Sequence, residues 1–88
     1  MINKEQTFLA ELLDANGREV DFHRYACKRV NTVIKNITKM YSRYSFMAKD
    51  LNNTASVVIY STPLGYGDGE LVWSVTVDEF RRMMEAVA

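Results

Sequence analysis

The chain is poor in the residues that build special chemistry. Its 88 residues include one cysteine, one histidine, one proline, one tryptophan and four glycines. A single cysteine excludes an internal disulfide framework and a cysteine-based zinc cluster, and it fits a reducing compartment. With one histidine as well, a metal would have to be held by carboxylates, and none of these stands at a Glu-x-x-His or calcium-loop spacing. Neither a metal nor a cofactor is expected. No apolar run approaches the ~18 residues of a membrane helix, and Met1-Ile2-Asn3-Lys4-Glu5-Gln6 lacks a signal peptide's hydrophobic stretch. The expectation is a cytoplasmic protein with no membrane contact. Charge of one sign is also missing: eleven basic residues balance eleven acidic ones. That is unlike a dedicated nucleic-acid binder, which carries a net positive charge.

What is present is ordinary for a folded domain, with 48% apolar and 25% charged residues. The length predicts one domain over residues 1–88, with a radius of gyration of roughly 12 Å and a diameter of about 30 Å. The zero net charge hides a gradient. Residues 21–50 carry Arg24, Lys28, Arg29, Lys35, Lys39, Arg43 and Lys49 against Asp21 and Asp50 alone, and acidic residues dominate both flanks. Local charge of this kind governs partners more than the total does.

Helical spacing of Phe8, Leu9, Leu12 and Leu13 predicts a short helix over 3–15, capped by Asn3 and stopped by Asn16-Gly17. Asp21 then reads as the N-cap of a long amphipathic helix running to about Asp50. At about 100° per residue, Phe22, Ala26, Val30, Val33, Ile34, Ile37, Met40, Tyr41, Tyr44, Ala48 and Leu51 form one apolar stripe. Arg24, Lys28, Lys35, Lys39 and Lys49 lie opposite. Such a helix would be about 45 Å long, longer than the globule is wide. It must bend near Tyr44-Ser45-Phe46 or overhang onto a second copy, and a homodimer is the expectation favoured here.

Residues 55–62 and 71–75 read as the arms of a β-hairpin, with Val57 and Ile59 inward and Val58, Tyr60 and Val72 outward. Leu71, Trp73 and Val75 are expected to share one face of the second arm. The outward face is more apolar than a free hairpin needs, which points to strand pairing, a partner or cover by the first helix. Thr76 and Glu79 form a capping box for a C-terminal helix with Val77, Phe80, Met84 and Val87 on its buried stripe. The expected fold is α+β in the order ααββα, with the long central helix packed on the hairpin.

His23 and Cys27, four apart on that helix, would bring a thiol to an imidazole, but no third residue orients the histidine. A small buried thiol is the better reading. No enzyme is expected. Gly65-Tyr66-Gly67-Asp68-Gly69 lacks the Lys-Ser/Thr of a phosphate loop, carries acidic charge and joins two strands, so it reads as a hairpin loop with Tyr66 as a contact anchor at its tip. The basic helix face is the most informative feature. Arg24, Lys28, Lys35, Lys39 and Arg43, with Phe46 beside them, could follow a phosphate backbone or meet an acidic protein. A solvated face with Phe46 turned inward is the alternative.

Two functions follow as expectations. The first is a non-enzymatic interaction protein that binds and modulates or inhibits a protein or protein–nucleic-acid complex, in the style of small inhibitors of host machinery encoded by mobile elements. The second is a nucleic-acid-binding regulator that uses the basic face of residues 21–50.

Overall fold

In the computed structural model, residues 6–62 and 69–87 are described. A four-stranded antiparallel sheet in the order β2-β1-β3-β4 carries its helices on one face. The strands are β1 (Gln6–Leu13), β2 (Glu19–Cys27), β3 (Ser56–Ser61) and β4 (Glu70–Thr76). The helices are α1 (Val30–Arg43), α2 (Ser45–Ala48) and α3 (Val77–Val87), with a 3₁₀ turn at Lys49–Asn53 between α2 and β3. The order is therefore ββααββα. It corrects the expected ααββα, although the class is α+β as expected.

The expected first helix is strand β1. Its apolar residues satisfy both periods: Phe8, Leu9, Leu12 and Leu13 suit a helix, while Phe8, Ala10 and Leu12 alternate into the core. Pairing decides between them. β1 is a central strand, hydrogen-bonded to β2 on one side and to β3 on the other, and tertiary partners of this kind override local helix propensity. Asn16-Gly17 is a turn, not a helix stop. Gly17 takes the left-handed conformation at φ 80° and its N–H donates to the Asp14 carbonyl at 3.0 Å. The Asp14 carboxylate accepts from the N–H groups of Asn16 (2.8 Å) and Arg18 (2.9 Å), which closes the β1–β2 hairpin.

The long helix is likewise divided. Residues 19–27 form the edge strand β2, and α1 begins only after Arg29, whose backbone is extended at φ −136°, ψ 143° and which provides no side-chain cap. Asp21, read as an N-cap, instead accepts the Tyr41 hydroxyl at 2.6 Å. α1 ends at Tyr44, again extended at φ −109°, ψ 111°, within the stretch where a bend was one expectation. Fourteen residues make α1 about 21 Å long. The overhang that argued for a second copy does not exist.

The second half follows its sequence signals closely. β3 and β4 pair antiparallel as the expected hairpin. In the capping box of α3, Thr76 N–H donates to Glu79 Oε1 and Glu79 N–H donates to Thr76 Oγ1, both at 3.1 Å. A register shift between Ile59 and Tyr60 alters one detail. Trp73 and Val75 pack on the core, but Leu71 sits opposite Tyr60 and is 53% exposed, away from the face it was expected to share. The Asn3 cap and residues 63–68, including Tyr66, lie outside the described residues.

The core lies between the sheet and the helices: Phe8, Ala10, Leu12, Val57 and Ile59 from the strands meet Val33, Ile37, Tyr41, Leu51 and Phe80. Ala10, small and fully buried at the middle of the sheet, leaves room for the helical layer.

Candidate interaction surfaces

Splitting the long helix redistributes the cations. Lys35, Lys39 and Arg43 remain on one exposed side of α1 at four-residue intervals, about 6 Å apart along the axis. Lys28 and Arg29 are exposed in the link before α1. Arg24 leaves the group: it is opposite Leu9 on the face of the sheet turned away from the helices. The single basic stripe of the sequence is thus two surfaces, one on each side of the molecule.

The helical surface is continuous from its start. Arg29, Asn31, Thr32, Ile34 and Lys35 line a shallow open depression there. The first turn of α1 holds no acidic residue and no side-chain cap, so its free N–H groups add positive potential. At the other end, Arg43 is followed by Tyr44 and Phe46, which are 44% and 69% exposed with ring centroids 5.6 Å apart. The break at Tyr44 turns Phe46 outward, contrary to the alternative of an inward Phe46. An exposed aromatic pair beside a row of cations makes this end of α1 a candidate contact surface.

The bare face of the sheet extends the outward hairpin face expected from Val58, Tyr60 and Val72: strand β1 pairs beside β3, and the β1–β2 half is what the helical reading missed. No helix among the described residues covers it. Two transverse rows of registered neighbours cross it: Phe22–Glu11–Val58–Ser74, and Arg24–Leu9–Tyr60–Leu71. Phe22 is 48% exposed, and Val72, at the shifted register, is 40% exposed. The Glu11 carboxyl is pushed up first by burial and then by the neighbouring Glu19, against a smaller pull down from Arg24. The signal was present in the sequence. Asn-Gly between two runs containing apolar residues marks a hairpin as readily as a helix stop, and accepting it puts Phe22 and Arg24 on a sheet.

No family model matches the chain, and neither a curated protein nor a solved structure does so significantly. The reading of these surfaces therefore rests on their own chemistry.

The third group of polar side chains is internal. The fully buried Tyr41 donates to Asp21 Oδ2 at 2.6 Å, and its hydroxyl oxygen lies 2.9 Å from His23 Nε2, which is itself 3.2 Å from Asp21 Oδ2. Because the one hydroxyl proton goes to Asp21, the histidine must donate to the tyrosine oxygen. Tyr41 also packs edge-on to Phe80, with ring centroids 6.0 Å apart. This network ties β2, α1 and α3 together and serves the fold. His23 and Cys27 lie four residues apart on a strand, about 13 Å, so the thiol–imidazole pair considered from sequence does not form. Cys27 Sγ instead donates to the Arg29 carbonyl at 3.4 Å. Among the described residues no three metal-ligating side chains cluster, and no helix is long and apolar enough to cross a membrane.

Proposed function

We propose that the chain is a non-enzymatic interaction module that captures an acidic surface on a partner protein or protein–nucleic-acid complex and thereby modulates or inhibits it. The contact surface is Lys35, Lys39 and Arg43 on α1 with Phe46 and Tyr44 at its end. The observation that carries this reading is Phe46, the most exposed large apolar side chain of those described, tilted against Tyr44 three residues after Arg43, the last cation of α1. Aromatic anchors supply affinity at such surfaces, and surrounding charges supply steering and register. The free Cys27 suits the reducing cytoplasm as the site of action.

Phe46→Ala tests it. The side chain contributes little to the core, so the melting temperature should change by no more than a degree or two. Capture of the partner from native-host lysate should fall at least tenfold, because a central aromatic anchor is worth ~2 kcal/mol or more. Capture unchanged by Phe46→Ala and by Tyr44→Ala would refute the anchor.

Nucleic acid is the second reading, favoured by the regular spacing of the α1 cations and the positive start of the helix. Fluorescence anisotropy with labelled duplex, single-stranded DNA and RNA decides it. Three aligned cations predict a log–log salt slope near −2.7, by the rule of about −0.9 per phosphate neutralised. Arg24→Glu, on the other side of the sheet, should leave that binding unchanged. No binding at low salt removes the second reading.

A further inference from the structure

We propose that the bare face of the sheet is covered by the same face of a second copy, giving a homodimer with sheets inside and both basic helical surfaces outside. The geometry points to this occupant through self-complementarity. A two-fold axis at the level of Ala10 and His23, parallel to the sheet just outside its bare face and running across the strands, lays each strand antiparallel on its own copy. It brings the row Phe22–Glu11–Val58–Ser74 onto the row Arg24–Leu9–Tyr60–Leu71. Phe22 then meets the Arg24 guanidinium of the second copy, Ser74 meets Leu71, and Glu11 lies over Leu9 and diagonal to Arg24. Val58, already buried within one copy at 6% exposed, adds little.

Charge argues for the same occupant. In one copy Glu11 and Glu19 face each other with a single nearby cation, Arg24. A second copy supplies another guanidinium where the carboxylates repel. An unrelated apolar partner would bury Glu11 beside Glu19 with Arg24 as the one nearby cation, which is costly.

The area sets the strength. Four strands about 4.8 Å apart, with about seven residues each at ~3.4 Å, present roughly 19 by 24 Å, or about 450 Å² in projection. Two such faces remove roughly 900 Å² before side-chain relief is counted, close to the ~1,000 Å² at which specific interfaces begin. An area at this lower limit suits a weak, reversible dimer, with association expected at micromolar concentrations and sheets packed ~10 Å apart. It is independent of the partner reading above, because the chain alone forms it.

Sedimentation equilibrium on the isolated protein from about 1 to 300 µM spans that range. The expected mass rises from one chain to two. Leu71→Asp and Ser74→Arg, both at exposed positions of β4, should hold the protein monomeric with an unchanged far-ultraviolet circular dichroism spectrum. Glu11→Arg and Arg24→Glu should each weaken the dimer about tenfold, and the two together should restore it. A single-chain mass throughout overturns the proposal. So does a dimer that survives Leu71→Asp and Ser74→Arg, or one lost on charge reversal of α1 while the sheet face is intact.

Discussion

Tyr41→Phe is expected to destabilise the protein by about 1–3 kcal/mol, although it removes one oxygen. That oxygen sits in the core, donating to Asp21 and accepting from His23, and its loss leaves a half-buried carboxylate short of a strong donor. Tyr41→Ala or Phe80→Ala should cost more, ~3–5 kcal/mol, because each empties a large volume where α1, α3 and the sheet converge. In a chain this small such a loss approaches the whole stability, so these two variants should be largely unfolded at 37 °C. A chemical-denaturation midpoint for Tyr41→Phe equal to that of the wild type would refute the network.

The same tyrosine gives a pH signature. Burial first, then the hydrogen bond and charge of Asp21, hold its pKa far above the usual 10.0. The folded state keeps a proton that the unfolded chain releases above pH ~10. The stabilisation is therefore complete below that pH and is lost as pH rises beyond it, by up to ~1.4 kcal/mol per pH unit. Tyr25, raised by burial, acts in the same direction. Between about pH 9.5 and 11.5 the wild type should lose melting temperature faster than Tyr41→Phe. Parallel curves would contradict the assignment.

The largest functional effect should come from reversing the α1 cations together. Lys35→Glu, Lys39→Glu and Arg43→Glu change three exposed residues. The cost to the fold is a few tenths of a kcal/mol, mostly from placing a negative charge in the last turn of α1. Each reversal both removes an attraction and adds a repulsion against an acidic partner, about 1 kcal/mol apiece at a surface of this exposure. Three of them predict roughly a hundredfold loss of affinity, since each 1.4 kcal/mol is tenfold. Arg24→Glu is the control, with no effect on capture because Arg24 faces the other way. Equal losses from Arg24→Glu and the triple variant would return the cations to one surface and refute the split described here.

How far the sequence could be read depended on where its signals were unique. The second half was legible. The β-branched run Val57–Ile59, the alternating Val72-Trp73-Ser74-Val75 and the Thr76/Glu79 capping box each admit one interpretation, and each is found in place. The first half was not, because its signals serve two structures. Leu, Ala and Glu in β1 favour a helix locally, and only pairing with β3, more than forty residues on, makes them a strand. α1 starts without a side-chain cap, so Asp21 drew the boundary eight residues early. The interruption at Tyr44 involves neither glycine nor proline. The α1 part of the candidate surface survived these errors, because Lys35, Lys39 and Arg43 do lie on one helix. Arg24 did not, since a strand alternates faces every residue where a helix would have kept it in line.

The most direct test of the central claim is a footprint. Backbone amide ¹H–¹⁵N spectra of the labelled protein, recorded while the captured partner is added, report which residues the partner touches. The account predicts perturbation concentrated at Lys35, Lys39, Arg43, Tyr44 and Phe46, with α3 from Asp78 to Glu85 unaffected. Perturbation centred on α3, or confined to Phe22, Arg24 and Leu71 on the sheet, would contradict it.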